Sequence, residues 1–370
     1  MTSWAPQVFA PYPDQPGILF ARVAARSAAF EGTSAAGGAP VLVGSAAGHD
    51  VGRITLSARG ELLERLGNVM AGREAEAAPE QVVGTREELR RTGIPTVEPQ
   101  PGADTRRLWV HGRTVRGAEA FVPAGTAFLH HRPPAGCDAA QSSGSTGIAA
   151  HPDLRSAARH AAWEVLERDL VRRSWYGLAD RPPSLIRFVP SPPLAGFVQA
   201  GGLVTTAFAV PAPAGVACVV VCLHRPDGTG QAFGARCGPA DTVGALAEKA
   251  AYEAVMVRWS MRTSTARAAW EQWRGASPPA TAVQHALWTY HRQNSLRLWN
   301  VSRQTVDQPE GGVRTDPLDV LAGHCGHEVV LVETTAAPAR DAGVRVVRVL
   351  APGTLPLPSG HGTGHPHPFG

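Results

Sequence analysis

Residues 57–65 read Ser57-Ala58-Arg59-Gly60-Glu61-Leu62-Leu63-Glu64-Arg65, and residues 164–169 read Glu164-Val165-Leu166-Glu167-Arg168-Asp169. The pattern Glu-x-x-Glu-Arg therefore occurs twice, far apart in the chain. On a helix, positions i, i+3 and i+4 share one face, so each copy presents two carboxylates beside a guanidinium. A single copy on a surface helix is usually no more than a solvated face. Two copies brought together are different. Adjacent carboxylates repel, and one is driven toward protonation unless a cation neutralises them. Hydrated Mg²⁺ is a suitable cation, and Mg²⁺ held by a few carboxylates generally carries a polyphosphate. The pattern thus predicts ATP chemistry.

Around these copies the chain alternates between helical and extended periodicity. Ser57 to Arg73 reads as a helix with a buried stripe of Leu62, Leu63, Leu66, Val69 and Met70, and with Ser57 as its N-cap. A longer helix is expected from about Asp153 to Trp175, after a Gly/Ser loop at 141–147. A third is expected at Thr242–Trp259. Strands are predicted at Val41–Val43, Leu108–Val115, Thr126–His130, Leu203–Val210, Val216–His224, Glu328–Glu333 and Val344–Leu350. Glu74–Arg91 reads as polar and helix-prone, and Arg181–Pro193 as a Pro-rich patch. The class is mixed α/β. Residues 1–46 read as a Pro/Ala/Gly-rich lead-in. The Gly/His/Pro-rich end, Ser359 to Gly370, offers no evident means of burying itself.

Composition removes several function classes. The 370 residues are 44% hydrophobic and 18% charged, as in an ordinary globular protein. No basic n-region precedes an apolar stretch, and no apolar run is long enough to span a bilayer, so a cytoplasmic protein is expected. The formal net charge of +4 is nearly all arginine, since Lys249 is the one lysine. The arginines are scattered, without the basic tract of a nucleic-acid binder. Lys249 lies in Ala-Glu-Lys-Ala, so ATP cannot be held by a P-loop. Five cysteines at irregular spacing argue against a disulfide framework. Cys218 and Cys222 fall on one face of a predicted strand and read as small buried hydrophobes. His324-Cys325-Gly326-His327 is too crowded for a standard zinc spacing.

The two copies and their surroundings resemble the YcaO family, ATP-dependent enzymes that activate peptide backbone amides. One family motif, Ser-x-x-x-Glu-x-x-Glu-Arg, is matched at Ser57, Glu61, Glu64 and Arg65. A second runs from Ser145-Thr146-Gly147-Ile148-Ala149-Ala150-His151 through His160 to Glu164, Glu167, Arg168, Asp169 and Trp175. A later family helix is matched by Glu253 and Arg258, and the closing strands by residues 326–352. The end, Pro366-His367-Pro368-Phe369-Gly370, resembles the Pro-x-Pro-x-Pro tail of azole-forming members. Departures stand at Arg53, His151, Ser156, Met256 and Gly370, where the family more often has Lys, Gly, an acid, Gln and Pro.

The resemblance covers about 47–370 and implies a mixed α/β fold around a central nucleotide-binding cleft, with 359–370 as its tail. It implies a peptide cyclodehydratase that phosphorylates an amide oxygen and closes thiazoline or oxazoline rings from Cys, Ser or Thr. Glu61, Glu64, Glu164 and Glu167 would hold Mg²⁺. Ser57, Arg65, Arg168, Glu253 and Arg258 would contact ATP. His160 would move a proton or line the pocket, and Pro366, Pro368 and Gly370 would set the tail in the cleft. The expected partners are a ribosomally made precursor peptide and a ThiF-like leader-binding protein. A flavin dehydrogenase and a homodimer are left open. Thioamide or amidine formation, and a degenerate member that binds peptide without turnover, are the alternatives.

Overall fold

Small residues set how closely the sheets approach the long helices. The computed structural model describes residues 4–30, 41–99, 102–139, 144–274, 277–292, 294–305, 316–355 and 366–369, without the side chains of residues 303 and 305. Along the chain come β1 (Gln7–Phe9), β2 (Leu19–Arg26), β3 (Val41–Gly48), α1 (Val51–Glu76), β4 (Val82–Gly84), α2 (Arg86–Arg91), β5 (Arg107–Thr114), β6 (Glu119–Pro123), α3 (Ala124–Ala127) and β7 (Ile148–His151). There follow α4 (Leu154–Trp175), β8 (Ser184–Leu185), α5 (Pro192–Ala200), β9 (Val204–Val210), β10 (Val216–His224), β11 (Ala232–Pro239) and α6 (Val243–Met261). The remainder is α7 (Ser264–Trp273), α8 (Ala282–Arg292), α9 (Ser295–Leu298), β12 (Ser302–Thr305), α10 (Pro317–Cys325), β13 (Val330–Glu333), α11 (Ala337–Asp341) and β14 (Arg345–Leu350).

These strands form three sheets. One has the order β1-β2-β3, a second β11-β10-β9-β8-β12, and a third β4-β5-β13-β14-β7 with β6 paired to β5. Pairing is antiparallel except between β8 and β12. Part of the N-terminal segment is thereby built into the fold, because β2 pairs with β3 along its length. Ala21, Val23, Ala25 and Leu42 of that sheet pack on Ile54, Ala58, Leu62, Leu66 and Val69 of α1. Strand β10 is apolar and buried throughout, which is the pattern of a strand covered on both faces. Cys218, Val220 and Cys222 join the core around α4, while Val219, Val221 and Leu223 join the core around α6. The two cysteines do share a face and are buried and free, as their spacing suggests. Helix α4 is wedged between the two larger sheets, and its alanines Ala157, Ala158, Ala161 and Ala162 make that wedge thin.

Two strand glycines show the same economy. A Cβ on Gly44 of β3 would stand 2.1 Å from the carbonyl oxygen of Ala58, and one on Gly234 of β11 would stand 2.1 Å from that of Ala250. Each glycine lets its strand lie directly against a helix, β3 on α1 and β11 on α6.

Several expectations change. Asp50, not Ser57, caps α1: its carboxylate accepts the Arg53 N–H at 3.0 Å, and Ser57 sits exposed two turns inside the helix. The cap lies two turns upstream because the apolar stripe extends back to Ile54. Thr126–His130 is not a strand; the segment turns through α3, with Thr126 Oγ1 donating to the Pro123 carbonyl at 2.8 Å. Glu74–Arg91 is broken by β4, and Thr85 starts α2 with a capping box. The chain end is not left in solvent: His367 and Phe369 are 0% and 5% exposed. Phe369 reaches Phe233 and Trp299, with ring centroids 6.1 and 6.2 Å away. Gly370 and residues 356–365 lie outside the described residues. His324 Nε2 is 2.6 Å from Asp169, which also accepts from Arg173 and from the Leu355 N–H at 2.8 Å. Asp169 thereby ties α4 to α10 and to the strand-end at 355. Among the described residues no helix is long and apolar enough to cross a membrane.

The close approach of β11 to α6 is directly testable. Gly234→Ala is expected to lower stability by about 1–3 kcal/mol or more, because backbone on either side must yield. Gly244→Ala, in the first turn of α6 with nothing within 4 Å of its added Cβ, is expected to be neutral or slightly stabilising. Chemical denaturation of both variants checks the pair.

Candidate active site

Three helices deliver carboxylates to one region, and in each case a neighbouring strand or loop supplies a backbone N–H to hold them. On α1, Glu61 accepts the Ser45 N–H at 2.6 Å and pairs with Arg65 at 2.6 Å. Arg65 also donates to the Val43 carbonyl. One turn on, Glu64 accepts the Ala150 N–H of β7 at 3.2 Å. On α4, Glu164 accepts the Gly147 N–H at 3.0 Å. Gly147 is needed for two reasons: its φ is +83°, and a Cβ there would lie 2.6 Å from the Val349 carbonyl oxygen. Glu167 faces Arg168 at 3.4 Å and Arg236 at 3.8 Å. On α6, Glu253 accepts the Ala235 N–H at 3.3 Å and pairs with Arg236 at 2.7 Å.

The electrostatics join these groups into one cluster. Burial pushes the Glu64 carboxyl up to about 8, and the charges of Glu164 and Glu61 push it the same way. Burial raises Glu164 as well, against the pull of Arg168, Arg348 and Arg236. Glu167 rises to about 7 by burial, opposed by Arg168 and Arg236 and reinforced by Glu253 and Glu164. Burial works against the charge on Arg168, but Glu167, Glu253 and Glu164 outweigh it and hold the guanidinium charged. At Glu64 the guanidiniums neutralise less of the negative charge than they do around Glu167, and a bound cation would offset it.

The residue types suit Mg²⁺ with a polyphosphate. Glu167 is 4% exposed, and its Oε1 has no well-directed hydrogen bond. Among the described residues no three His, Cys, Asp or Glu side chains close on one point as a ready-made chelate. That is the donor set Mg²⁺ tolerates, since it takes one or two carboxylates and completes its shell with waters and phosphate oxygens.

Glu61, Glu64, Arg65, Glu164, Glu167, Arg168 and Glu253 are thus brought together. Ser57 lies one turn before Glu61 on α1, exposed. His160 lies one turn before Glu164, with its ring 5.4 Å from that of His151; partial burial, then the charges of His151 and Lys249, hold it below the usual imidazole range. The tail approaches from the other end of α4. The His367 N–H donates to His285 Nδ1 at 3.0 Å, and His367 feels the charges of Arg172 and Arg168. Pro366 and Pro368 flank that contact. Arg258 does not join the cluster. Its Nη1 donates to the Gly230 carbonyl at 2.8 Å, and it stands over Tyr290. Five residues past Glu253 is about 140° around the helix, so the two cannot share a face. Two members were missed from sequence. Arg236 on β11 bridges Glu253 and Glu167, and buried Arg348 on β14 faces Glu164 while donating to the Gly144 carbonyl at 2.8 Å.

The raised Glu64 carboxyl has a stability consequence. Its folded value lies above the ordinary 4.5, so between those two limits the folded chain binds more protons than the unfolded one. Stability of the metal-free protein should then fall as pH rises through that window. Glu64→Gln removes the titration. The variant is expected to melt higher than the parent at pH 8, with the gain shrinking toward pH 5, when thermal unfolding is followed without Mg²⁺. A constant difference across that range would contradict the assignment.

The family model described as YcaO cyclodehydratase, ATP- and Mg²⁺-binding, matches residues 48–355. Among solved structures, YcaO from Methanopyrus kandleri bound with AMPPCP and Mg²⁺ is similar with a TM-score of 0.63 at 20% identity, over 93% of this chain and 84% of that one. A heterocyclase in complex with substrate and cofactor gives a TM-score of 0.68 at 16% identity, over 97% of this chain and 51% of that one, so this chain spans about half its length. The E. coli microcin synthetase McbBCD complex gives 0.61 at 13% identity, over 95% and 89% of the two chains; a form with pro-MccB17 bound is also similar, at 0.59 and 12% identity, over 95% and 89%. No curated protein sequence matches. The family model covers most of the chain, the solved relatives share its mixed α/β fold, and the family binds ATP and Mg²⁺: this chain belongs to the YcaO family.

Proposed function

We propose that the protein is an ATP- and Mg²⁺-dependent peptide cyclodehydratase that converts Cys, Ser or Thr of a ribosomally made precursor into azolines. One observation carries the reading: carboxylates from α1, α4 and α6 share a single electrostatic cluster, with Glu64, Glu164 and Glu167 all raised by burial and linked by mutual charge. Bound ATP with Mg²⁺ supplies the phosphoryl group that turns an unreactive amide oxygen into a leaving group.

The chain's own residues position and neutralise. Glu61, Glu64, Glu164 and Glu167 would hold Mg²⁺ ions between them, one or two carboxylates to an ion, and Arg65, Arg168 and Arg236 would balance the remaining negative charge. Guanidinium forks match phosphate oxygens in shape and charge. A cavity of about 280 Å³ lined by Phe20, Val43, Ser45, Met256 and Trp259 adjoins the Ser45–Glu61 contact. Phe9, Phe20, Met256 and Trp259 give it apolar walls that would suit a purine ring, and Arg22 and Ser260 add polar groups. Glu253 anchors Arg236 toward Glu167. His160 is exposed on α4 one turn before Glu164, and its neutral imidazole would be able to take a proton from an incoming thiol or hydroxyl. The tail, buried from His367 to Phe369, packs on Trp175 at the end of α4, two turns beyond Arg168, and would keep that end of the helix rigid.

A precursor peptide and a ThiF-like leader-binding protein are proposed partners, with a cytoplasmic setting and later oxidation by a flavin enzyme. The similarity to a microcin synthetase complex supports the use of partner subunits. Loss of an acid at Ser156 and the presence of His151 favour a second reading, a member that binds peptide without turnover. Incubation with partner, precursor, ATP and Mg²⁺ separates them by mass. Loss of one water per ring with phosphate release is expected. Replacement of oxygen by sulfur would indicate thioamide formation, and an unchanged mass with retained peptide would favour the non-catalytic reading. Glu164→Gln is expected to lower phosphate release about 100-fold or more while leaving the circular dichroism unchanged.

A further inference from the structure

A second pocket lies away from the carboxylate cluster. It encloses about 420 Å³ between the N-terminal turn (Tyr12, Asp14), the end of α5 (Phe197) and the C-terminal end of α6 (Arg258, Trp259, Arg262). The volume is that of a ligand site rather than a packing defect. Its lining holds two guanidiniums, Arg258 and Arg262, against one carboxylate, Asp14. Arg258 is 4% exposed and spends one N–H on the Gly230 carbonyl. Burial pulls its charge down, and Arg262 and Arg225 add like charge; only the tyrosines Tyr290 and Tyr12 oppose them. Arg262 lies 6.0 Å over the Tyr12 ring, and burial raises the Tyr12 hydroxyl to about 12, so it stays neutral. Among the described residues no carboxylate pairs with Arg225, Arg258 or Arg262, and Asp14 at the rim makes no ion pair with them. A buried guanidinium without a counter-charge is costly, and its fork is shaped for a planar, two-oxygen anion.

We propose that this pocket binds a peptide carboxylate next to an aromatic or large apolar side chain. Arg258 and Arg262 take the carboxylate, and the wall of Tyr12, Phe197 and Trp259 takes the side chain. Arginine with tyrosine and tryptophan is the composition that dominates recognition of peptide anchors. Phosphate alone would occupy the cationic end and leave the aromatic wall unused. The pocket shares Trp259 with the cavity offered to the purine but lies on the Arg258–Arg262 side of it, and it does not depend on the reaction assigned above. The carboxylate belongs to an Asp or Glu side chain or to a peptide C-terminus.

Fluorescence anisotropy with three labelled peptides tests this on the full chain. One contains an internal Phe-Glu and an amidated end, one lacks acidic side chains and ends on a free Phe carboxylate, and one contains Phe-Gln and an amidated end. At least one carboxylate peptide is expected to bind about tenfold or more tighter than the Phe-Gln peptide, and the tighter of the two identifies the source. Arg262→Gln, a change at an exposed side chain, should erase the difference while Mg²⁺-dependent ATP binding stays as in the parent. Equal binding of all three peptides, a preference that survives Arg262→Gln, or displacement by equimolar inorganic phosphate or ATP would each overturn the proposal. ATP binding is read separately, so loss of the nucleotide assignment and loss of this one are distinguishable.

Discussion

Backbone N–H groups from strands, donated into carboxylates on the helices beside them, hold this structure's centre together. Ser45 serves Glu61, Ala150 serves Glu64, Gly147 serves Glu164 and Ala235 serves Glu253. A buried carboxylate is expensive unless its lone pairs are used. Here each one is partly satisfied by main chain, which cannot swing away as a side chain can. The same bonds fix the height of α1, α4 and α6 on their sheets. Gly44 and Gly234 matter for this reason. Each immediately precedes a donor, and each removes the Cβ that would keep strand and helix apart. Packing and electrostatics are therefore one constraint, and loosening either would scatter the carboxylates.

The guanidiniums complete the balance unevenly. Around Glu167 and Glu253, Arg168 and Arg236 provide compensation at close range. Around Glu64 there is none comparable; the charge of Arg65 is directed at Glu61. The consequence is a carboxyl held near neutrality by its surroundings and available to a divalent cation. A site of this kind is poorly balanced alone and better balanced when loaded, as expected where charge has been arranged for a ligand.

Much of this was legible in the sequence because helical spacing is local. Glu61, Glu64 and Arg65, like Glu164, Glu167 and Arg168, are tied to one face by the 3.6-residue repeat whatever the rest of the chain does. The strand Val216–His224 announced itself by an apolar run unbroken from Val216 to Leu223. The parts that were not legible depend on long-range pairing. Arg236 and Arg348 lie within strands, where a charged residue reads as solvent-facing; only the sheets' positions beside α4 turn them inward. Arg258 differs for the opposite reason: it is near Glu253 in sequence, but the helix turns it to another face, against Gly230 and Tyr290. The tail ends in Phe369, one aromatic among prolines, histidines and glycines, and its burial follows from a slot between Phe233 and Trp299 that no local pattern reveals.

The central claim is that the carboxylates of α1 and α4 grip the same nucleotide-bound metal. A double-mutant cycle on Glu64→Gln and Glu164→Gln, read by electron paramagnetic resonance of Mn²⁺ with a non-hydrolysable ATP analogue, tests it most directly. If both side chains hold one metal–nucleotide assembly, their losses in affinity are coupled and the double variant falls well short of the sum. Strictly additive losses, or a Mn²⁺ signal unchanged in both single variants, would show that the two helices do not share a site.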